Sequence, residues 1–255
     1  RCAAMSSAPQ SPASPWCSLT RAASAAPDGS TVQVRAGAYP RLTISGNDNA
    51  STISFHAHGS ETPSIAGLSL QNSSRWRFEG FAIVDHSSLS NGTTDVELVG
   101  NYFSPGGVSL LSAYRTLIER NRIHDIPLSI GNGTGIWVNF ETSDVERCCD
   151  DTGVVIRANR FDRIENDAIQ LGGGTNDAVV EDNLFTNIRP TGGAHGDAFQ
   201  GVGTKGTIFR RNRVHDSDSG LMLVHSENKD MLIESNVITQ TGWACDCGHI
   251  PGARF

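Results

Sequence analysis

The residues with the clearest chemical potential form a short cluster at positions 195–200, which read HGDAFQ and bring an imidazole, a carboxylate and an amide together. This combination suits acid–base chemistry, because a carboxylate beside a histidine orients the ring and raises its basicity. Lys205 follows in the next turn, and His225 comes one repeat later. We predict that His195, Asp197, Lys205 and His225 are the catalytic residues of an enzyme.

A second set of polar residues recurs at equivalent positions of neighbouring segments. Segments 134–138, 167–171, 197–201 and 219–223 read TGIWV, DAIQL, DAFQG and SGLML. If alternate side chains point inward, as they do in a strand, the fourth position of each segment forms one outward strip. The strip contains Trp137, Gln170, Gln200 and Met222. Asp167 and Asp197 would lie one coil apart, and we predict that Trp137, Asp167, Gln170 and Gln200 bind the substrate.

A sequence repeat supplies the register that holds these residues together. Two apolar residues, two variable ones, Asn, one variable residue and one apolar residue recur around Asn121, Asn159, Asn183, Asn212 and Asn236, with a looser copy at Asn101. The asparagines are 20, 38, 24, 29 and 24 residues apart, and periods of this size indicate a solenoid. The strand-like composition of each unit predicts an all-β fold, a parallel β-solenoid of about eight or nine coils.

Each position of the repeat has a predicted structural role. The residues three before and two after each Asn should point into the core, and the Asn itself should mark a bend, adopt left-handed geometry and stack into a ladder. The position two before the Asn carries Glu119, Arg157, Glu181, Arg210 and Glu234. These alternating charges predict an outward salt-bridge ladder, which argues against a substrate-binding role for its arginines.

The chain divides into three segments. Residues 1–30 are predicted to cap the first coil, with a short helix at 18–26, because an open solenoid end exposes apolar surface. Residues 31–242 form the solenoid domain, and residues 243–255 form a cysteine-containing C-terminal tail. Insertions at 127–133 and 190–195 precede the polar strip and are expected to wall a binding face.

Composition narrows the possible partners and the compartment. The net charge of −7 argues against nucleic acid or an acidic membrane as a partner, and no apolar run is long enough to span a bilayer. An even number of cysteines predicts disulfides and an oxidising compartment. These are Cys2, Cys17, Cys148, Cys149, Cys245 and Cys247. With a chain that begins at Arg1, we expect a secreted or periplasmic protein, and we expect a monomer.

The repeats, followed by Lys205, Asn212 and the segment 221–225 (LMLVH), resemble secreted right-handed parallel β-helix proteins of the pectate-lyase-like superfamily. The local likeness is to chondroitinase-B-like alginate lyases, although Val224 and Ser226 stand where that family has Arg and Gly. The resemblance implies a single-stranded right-handed parallel β-helix acting on an acidic, uronic-acid-containing polysaccharide, with Ca²⁺ as the one cofactor to consider.

The activity implied by the resemblance is β-elimination, which needs a group to neutralise the uronate carboxylate, a base and an acid. Gln200, with Gln170, would bind the carboxylate. Lys205 or His195 would be the base, and His225 or a tyrosine the acid. Asp197 would orient His195 or bind a cation. The alternatives are a C5-epimerase, a glycoside hydrolase using Asp167 and Asp197, and a non-catalytic polysaccharide-binding or adhesin β-helix.

Overall fold

The computed structural model describes residues 15–138, 151–191, 195–224 and 228–247. These contain one α-helix, α1 (Leu19–Ala25), a 3-10 turn at Gly131–Gly133, and strands that run almost continuously from coil to coil. The first strands are β1 Thr31–Val34, β2 Ala38–Tyr39, β3 Leu42–Ser45, β4 Asp48–Ala57, β5 Ser64–Ile65, β6 Leu68–Gln71, β7 Ser74–Glu79, β8 Ala82–Ile83 and β9 Ser87–Val99. The middle strands are β10 Tyr102–Phe103, β11 Val108–Tyr114, β12 Leu117–Glu119, β13 Arg122–Ile126, β14 Ile136–Val138, β15 Asp151–Thr152, β16 Val155–Arg157, β17 Arg160–Ile164 and β18 Ile169–Leu171. The last strands are β19 Thr175–Asn176, β20 Val179–Glu181, β21 Leu184–Ile188, β22 Asp197–Val202, β23 Ile208–Arg210, β24 Arg213–Val224, β25 Leu232–Glu234 and β26 Val237–Cys247.

Parallel pairing stacks these strands into three long sheets, except for β15 and β19, which form a separate two-stranded sheet. Sheet 1 consists of β3, β6, the start of β9, β11, β14, β18, β22 and the ends of β24 and β26. Sheet 2 consists of β1, β4, β7, the end of β9, β12, β16, β20, β23 and β25. Sheet 3 consists of β2, β5, β8, β10, β13, β17, β21 and the starts of β24 and β26. Nine strands per sheet mean nine coils in the described residues, a stack about 38 Å long, which confirms the predicted parallel β-solenoid.

The core is a column of apolar side chains that stack from coil to coil. The predicted inward positions on both sides of each Asn are buried, except that Ile238 in the last coil is only partly covered. Phe161 and Phe185 stack with ring centroids 4.8 Å apart and an angle of 6° between their planes. Such stacking follows from the parallel register, because equivalent residues of successive coils lie one strand spacing apart.

The asparagines form the predicted ladder at the bend between sheets 2 and 3. Each Asn from position 101 to 212 donates its backbone N–H to the side-chain oxygen of the next Asn, at 2.8–3.0 Å. Each side-chain amide donates to a backbone carbonyl, as Asn183 Nδ2 does to Ile156 O at 2.9 Å. The expected left-handed geometry belongs instead to the residue before each Asn, such as Arg120 (φ 54°) and Ala158 (φ 55°). The prediction was wrong on this point, because the bend is made one residue earlier and leaves the Asn amide free to point inward.

The charge ladder also has the predicted register. Glu119, Arg157, Glu181, Arg210 and Glu234 are successive partners in sheet 2. Arg157 Nε lies 3.1 Å from a Glu119 carboxylate oxygen, and Arg210 Nε lies 2.8 Å from Glu181. Both arginines are therefore engaged in the scaffold, as expected.

The N-terminal helix packs onto the first coils. Ser18 caps α1 by accepting a hydrogen bond from the Arg21 N–H, and Leu19, Ala22 and Ala23 are buried in the common core. At the other end, β26 pairs with β24 through Cys247, so the predicted boundary at residue 242 falls inside a strand. The predicted disulfides involve Cys2, Cys148, Cys149 and the side chains of the C-terminal cysteines, which lie outside the described residues.

Candidate active site

The bend between sheets 3 and 1 brings two aspartates of neighbouring coils together. The Ala168 N–H donates to Asp197 O at 2.8 Å, and the Asp197 N–H donates to the Asp167 Oδ1 atom at 3.3 Å. Their side chains are 1% and 0% exposed. Asp197 Oδ1 has no hydrogen-bond partner in the part of the chain that the structure describes. Burying two carboxylates side by side is costly unless a cation accompanies them.

His195 supplies that cation at the mouth of the aspartate pair. Its Nδ1 atom lies 2.9 Å from Asp197 Oδ2 and 3.6 Å from Asp167 Oδ1. The side chain is 50% exposed, so the ring is anchored on one edge and open to solvent on the other. Because Nδ1 faces the carboxylates, Nε2 is the ring nitrogen available to a substrate.

The three groups shift one another's protonation. The close contact with the Asp167 carboxylate, together with the charge of Asp197 and its hydrogen bond, raises the pKa of His195 to about 9 against the effect of partial burial. Burial and the charge of Asp167 raise the pKa of Asp197 to about 7, against the opposite effect of His195. Between these values the His195–Asp197 pair exists as imidazolium and carboxylate. Strongly shifted pKa values in a partly open site are typical of catalytic groups.

The predicted polar strip exists, and its register is confirmed. Trp137, Gln170, Gln200 and Met222 are successive partners in sheet 1. Gln170 Nε2 donates to Gln200 Oε1, and Gln200 Nε2 contacts the Met222 sulfur at 3.4 Å. A thioether is a weak acceptor, so the Gln200 N–H is the exchangeable donor of this pair. Both amides are largely covered, at 9% and 4% exposure, although they point away from the core.

Lys205 lies away from this cluster. It is exposed in the turn that follows β22 and pairs with Asn176 and Lys229 of the adjacent coils. Since β22 begins at Asp197 and runs six residues, the strand alone separates Lys205 from His195 by about 16 Å. Lys205 and His195 therefore lie beyond opposite ends of β22. The other predicted catalytic residue, His225, lies outside the described residues.

The structure adds a histidine that the sequence comparison missed. His86 Nε2 lies 3.1 Å from Ser109 Oγ, and Ser109 is the sheet 1 partner of Trp137, so the polar strip extends by at least one coil. Burial lowers the pKa of His86, which leaves this ring neutral where His195 is charged. The sequence does contain a sign of this extension, because SSL at 87–89 matches VSL at 108–110 and the two segments are partners in sheet 1.

A cleft of about 490 Å³ lies at the bend that carries His195. It is lined by Asp125, Ile126, Pro127, Arg163, Glu165, Asn187, Arg189 and Thr191. Pro127 and Thr191 belong to the two insertions that were predicted to wall a binding face. Arg163 is held by Asp125, and Arg189 by Asp216, so the cleft arginines are already paired.

Asp167, His195 and Asp197 also offer one ligand atom each within 4.8 Å of one another. Two carboxylate oxygens and one imidazole nitrogen suit a divalent transition metal. Ca²⁺, the ion considered from the sequence, takes six to eight oxygen ligands. The donor set therefore does not fit calcium, and the chemistry proposed below does not pass through it.

Comparison with known proteins agrees with this architecture. A family profile described as right handed beta helix region matches residues 41–200. The chain belongs to this right-handed β-helix family. A search of curated protein sequences finds no match.

Three solved structures illustrate the similarity. An alginate lyase from Paenibacillus sp. str. FPU-7 has a TM-score of 0.67 and 15% identity, covering 91% of this chain and 96% of that one. A rhamnogalacturonan lyase has a TM-score of 0.58 and 13% identity, covering 89% and 71%. The pectate lyase Pel9A has a TM-score of 0.50 and 12% identity, covering 96% and 74%. At these identities the likeness establishes the fold. In the described residues, no helix is long and apolar enough to cross a membrane.

Proposed function

We propose that the protein is a polysaccharide lyase that cleaves an acidic, uronic-acid-containing polysaccharide by β-elimination, in a secreted or periplasmic setting. The observation that carries the proposal is a half-exposed His195 anchored by two buried carboxylates. The names of the similar structures, which are lyases of alginate, rhamnogalacturonan and pectate, support the reaction class.

His195 acts as the base through Nε2. Asp197 and Asp167 hold Nδ1–H and raise the basicity of the ring, as a weakly acidic carbon-bound proton requires. His195 takes the proton from C5 of the uronate, the electron pair forms the C4–C5 double bond, and the C4–O4 bond breaks. The imidazolium returns its proton to O4, so one residue serves both steps when the proton and the leaving oxygen are on the same face of the sugar.

The C5 proton becomes acidic only when the charge of the neighbouring carboxylate is masked. Gln200 provides that contact by exchanging the Met222 sulfur for a carboxylate oxygen, while Gln170 holds the Gln200 carbonyl. Trp137 would flank the same sugar from the next coil. Lys205 is assigned to a more distant part of the substrate because of its position beyond β22.

The alternatives fit these contacts less well. A hydrolase needs two carboxylates that reach both sides of the glycosidic bond, whereas Asp167 and Asp197 are enclosed and their ligand atoms lie within 4.8 Å of each other and of His195. An epimerase shares the first proton transfer but returns the proton to C5. A binding protein has no need for a perturbed histidine.

The test is incubation with alginate, polygalacturonate and chondroitin sulfate while the ultraviolet absorbance of the new double bond is recorded. We expect absorbance with at least one polymer, and loss of that signal in His195→Ala. His58→Ala, which removes an exposed histidine of an N-terminal coil, is the matched control and should retain activity. Full activity of His195→Ala would refute the site. New reducing ends without absorbance would identify a hydrolase, and altered C5 configuration without cleavage an epimerase.

A further inference from the structure

A second surface stands out when the ion pairs of the arginines are compared. Most arginines in the described residues form salt bridges, and those that do are Arg35, Arg41, Arg75, Arg77, Arg115, Arg120, Arg157, Arg163, Arg189, Arg210 and Arg211. Arg122, Arg160 and Arg213 form none within the part of the chain that the structure describes, and all three are exposed. We call these three residues the arginine row.

The arginine row occupies a single column of sheet 3. Arg122 pairs with Arg160, Arg160 with Leu184, and Leu184 with Arg213. Each of these arginines directly follows a ladder asparagine, at the opposite end of its strand from the bend that carries His195. The row is therefore a surface separate from the candidate active site.

The row carries an electrostatic cost that the neighbouring charge ladder avoids. Arg122 and Arg160 lie directly opposite each other in the register, about 4.8 Å apart at the backbone. Like charges in such pairs are destabilising, whereas Arg157 and Arg210 in sheet 2 alternate with glutamates. A bound anion would remove this cost.

The local charge is opposite to that of the whole chain. The residues within two positions of the ladder asparagines include seven arginines and four acids, while the chain as a whole has a net charge of −7. The arginines are Arg120, Arg122, Arg157, Arg160, Arg210, Arg211 and Arg213, and the acids are Glu119, Glu181, Asp182 and Glu234. The local surplus is three positive charges, the same number as the arginines of the row.

Exposed apolar side chains complete the column. Tyr102 is 48% exposed and pairs with Arg122, and Val237 is 55% exposed and pairs with Arg213. A tyrosine ring offers a flat apolar face to a sugar ring, while guanidinium groups bind carboxylates through paired N–H donors. Six coils from Tyr102 to Val237 give a track about 24 Å long.

We infer that this column, from Tyr102 through the arginine row to Val237, is a second binding surface for an anionic polysaccharide, distinct from the catalytic strip. Carboxylates repeated along a polyuronate match cations repeated along the coil stack. A duplex nucleic acid fits poorly, because three cations on an acidic protein are too few for a dense phosphate backbone. The choice of a polyuronate rests on the proposed function, whereas the surface itself rests on the unpaired charges.

The experiment measures retention of the protein in gels that contain alginate, polygalacturonate or neutral dextran. The test variant is Arg122→Gln/Arg160→Gln/Arg213→Gln. The control is Arg35→Gln/Arg75→Gln/Arg115→Gln, which removes the same charge from arginines outside this column that form partly exposed salt bridges. We expect the apparent dissociation constant for a polyuronate to rise about tenfold in the test variant, with little change in the control. Arg122→Lys/Arg160→Lys/Arg213→Lys keeps the charge but loses the paired N–H donors. Its affinity for the polyuronate should lie between those of the wild type and the glutamine variant.

Cleavage of short uronate oligosaccharides is measured in parallel, because these cannot reach both surfaces. Turnover of these oligosaccharides should be unchanged in the test variant. If the lyase proposal fails, the wild type itself shows no turnover; if the second surface fails, retention of the test variant in the gel is unchanged. Equal weakening in the control variant, unchanged retention of the test variant, or equally strong binding of duplex DNA would overturn the inference. If the triple variant misfolds, Arg160→Gln alone must still weaken retention for the inference to stand.

Discussion

The proposed base can be tested through its pH profile in Asp197→Asn. In the wild type, the close contact with Asp167, the hydrogen bond to Asp197 and the two carboxylate charges raise the pKa of His195 from an ordinary 6.5 to about 9. A base works only when it is deprotonated, so activity should rise with pH until about 9. At pH 8 about one tenth of His195 is neutral, by the definition of the pKa.

Asparagine keeps an oxygen for the 2.9 Å contact with His195 Nδ1 but removes one negative charge. Asp167 remains, so the pKa of His195 should fall by about one to two units rather than return fully to its ordinary value. The acid limb of the profile then moves to lower pH. The plateau above it falls by up to about tenfold, because a weaker base abstracts the proton more slowly.

The assay records kcat/KM between pH 6 and pH 10 by ultraviolet absorbance, with folding checked at each pH. Asp28→Asn, which alters an exposed carboxylate that accepts a hydrogen bond from the Ala50 N–H, is the control and should leave the limb in place. An acid limb that stays unchanged in Asp197→Asn, or moves to higher pH, would refute the assignment of His195 as the base.

The remaining predictions concern stability and metal dependence. Because burial raises the folded-state pKa of Asp197 from 3.8 to about 7, the stability that this group contributes below pH 4 is lost as the pH rises to 7. The unfolding free energy of the wild type should therefore fall relative to Asp197→Asn by up to about 4 kcal/mol over that range, as measured by urea titration. Asn183→Ala removes the amide contacts to Ile156 O and Asn212 and should cost about 3 kcal/mol in the same assay. Phe185→Ala leaves a void beside Phe161 and should cost about 3–5 kcal/mol, whereas Phe185→Leu should cost clearly less. Dialysis against a chelator should leave turnover unchanged, and loss of activity restored by added Ca²⁺ would contradict our assessment of the donor set.

Much of the site was predictable because solenoid register is periodic. Once the asparagines fixed the coils, the alignment of DAIQL with DAFQG placed Asp167 beside Asp197 and Gln170 beside Gln200. The position of Lys205 was not predictable in this way. Its distance from His195 depends on how far β22 runs before the chain turns, and the three glycines near its end, Gly201, Gly203 and Gly206, do not single out one turn position.

The architecture, the core positions and the columns in which the side chains stack follow from the amino-acid pattern alone, because a parallel coil repeats the same inward and outward pattern along its length. Tertiary structure decided which members of a column interact. It placed the His195 ring on two buried carboxylates, covered the Gln170 and Gln200 amides, and put left-handed geometry before each ladder asparagine. It also placed most of the described arginines in salt bridges, whereas Arg122, Arg160 and Arg213 form none within the described residues. These outcomes depend on ångström-scale distances and on burial between coils, which sequence spacing does not encode.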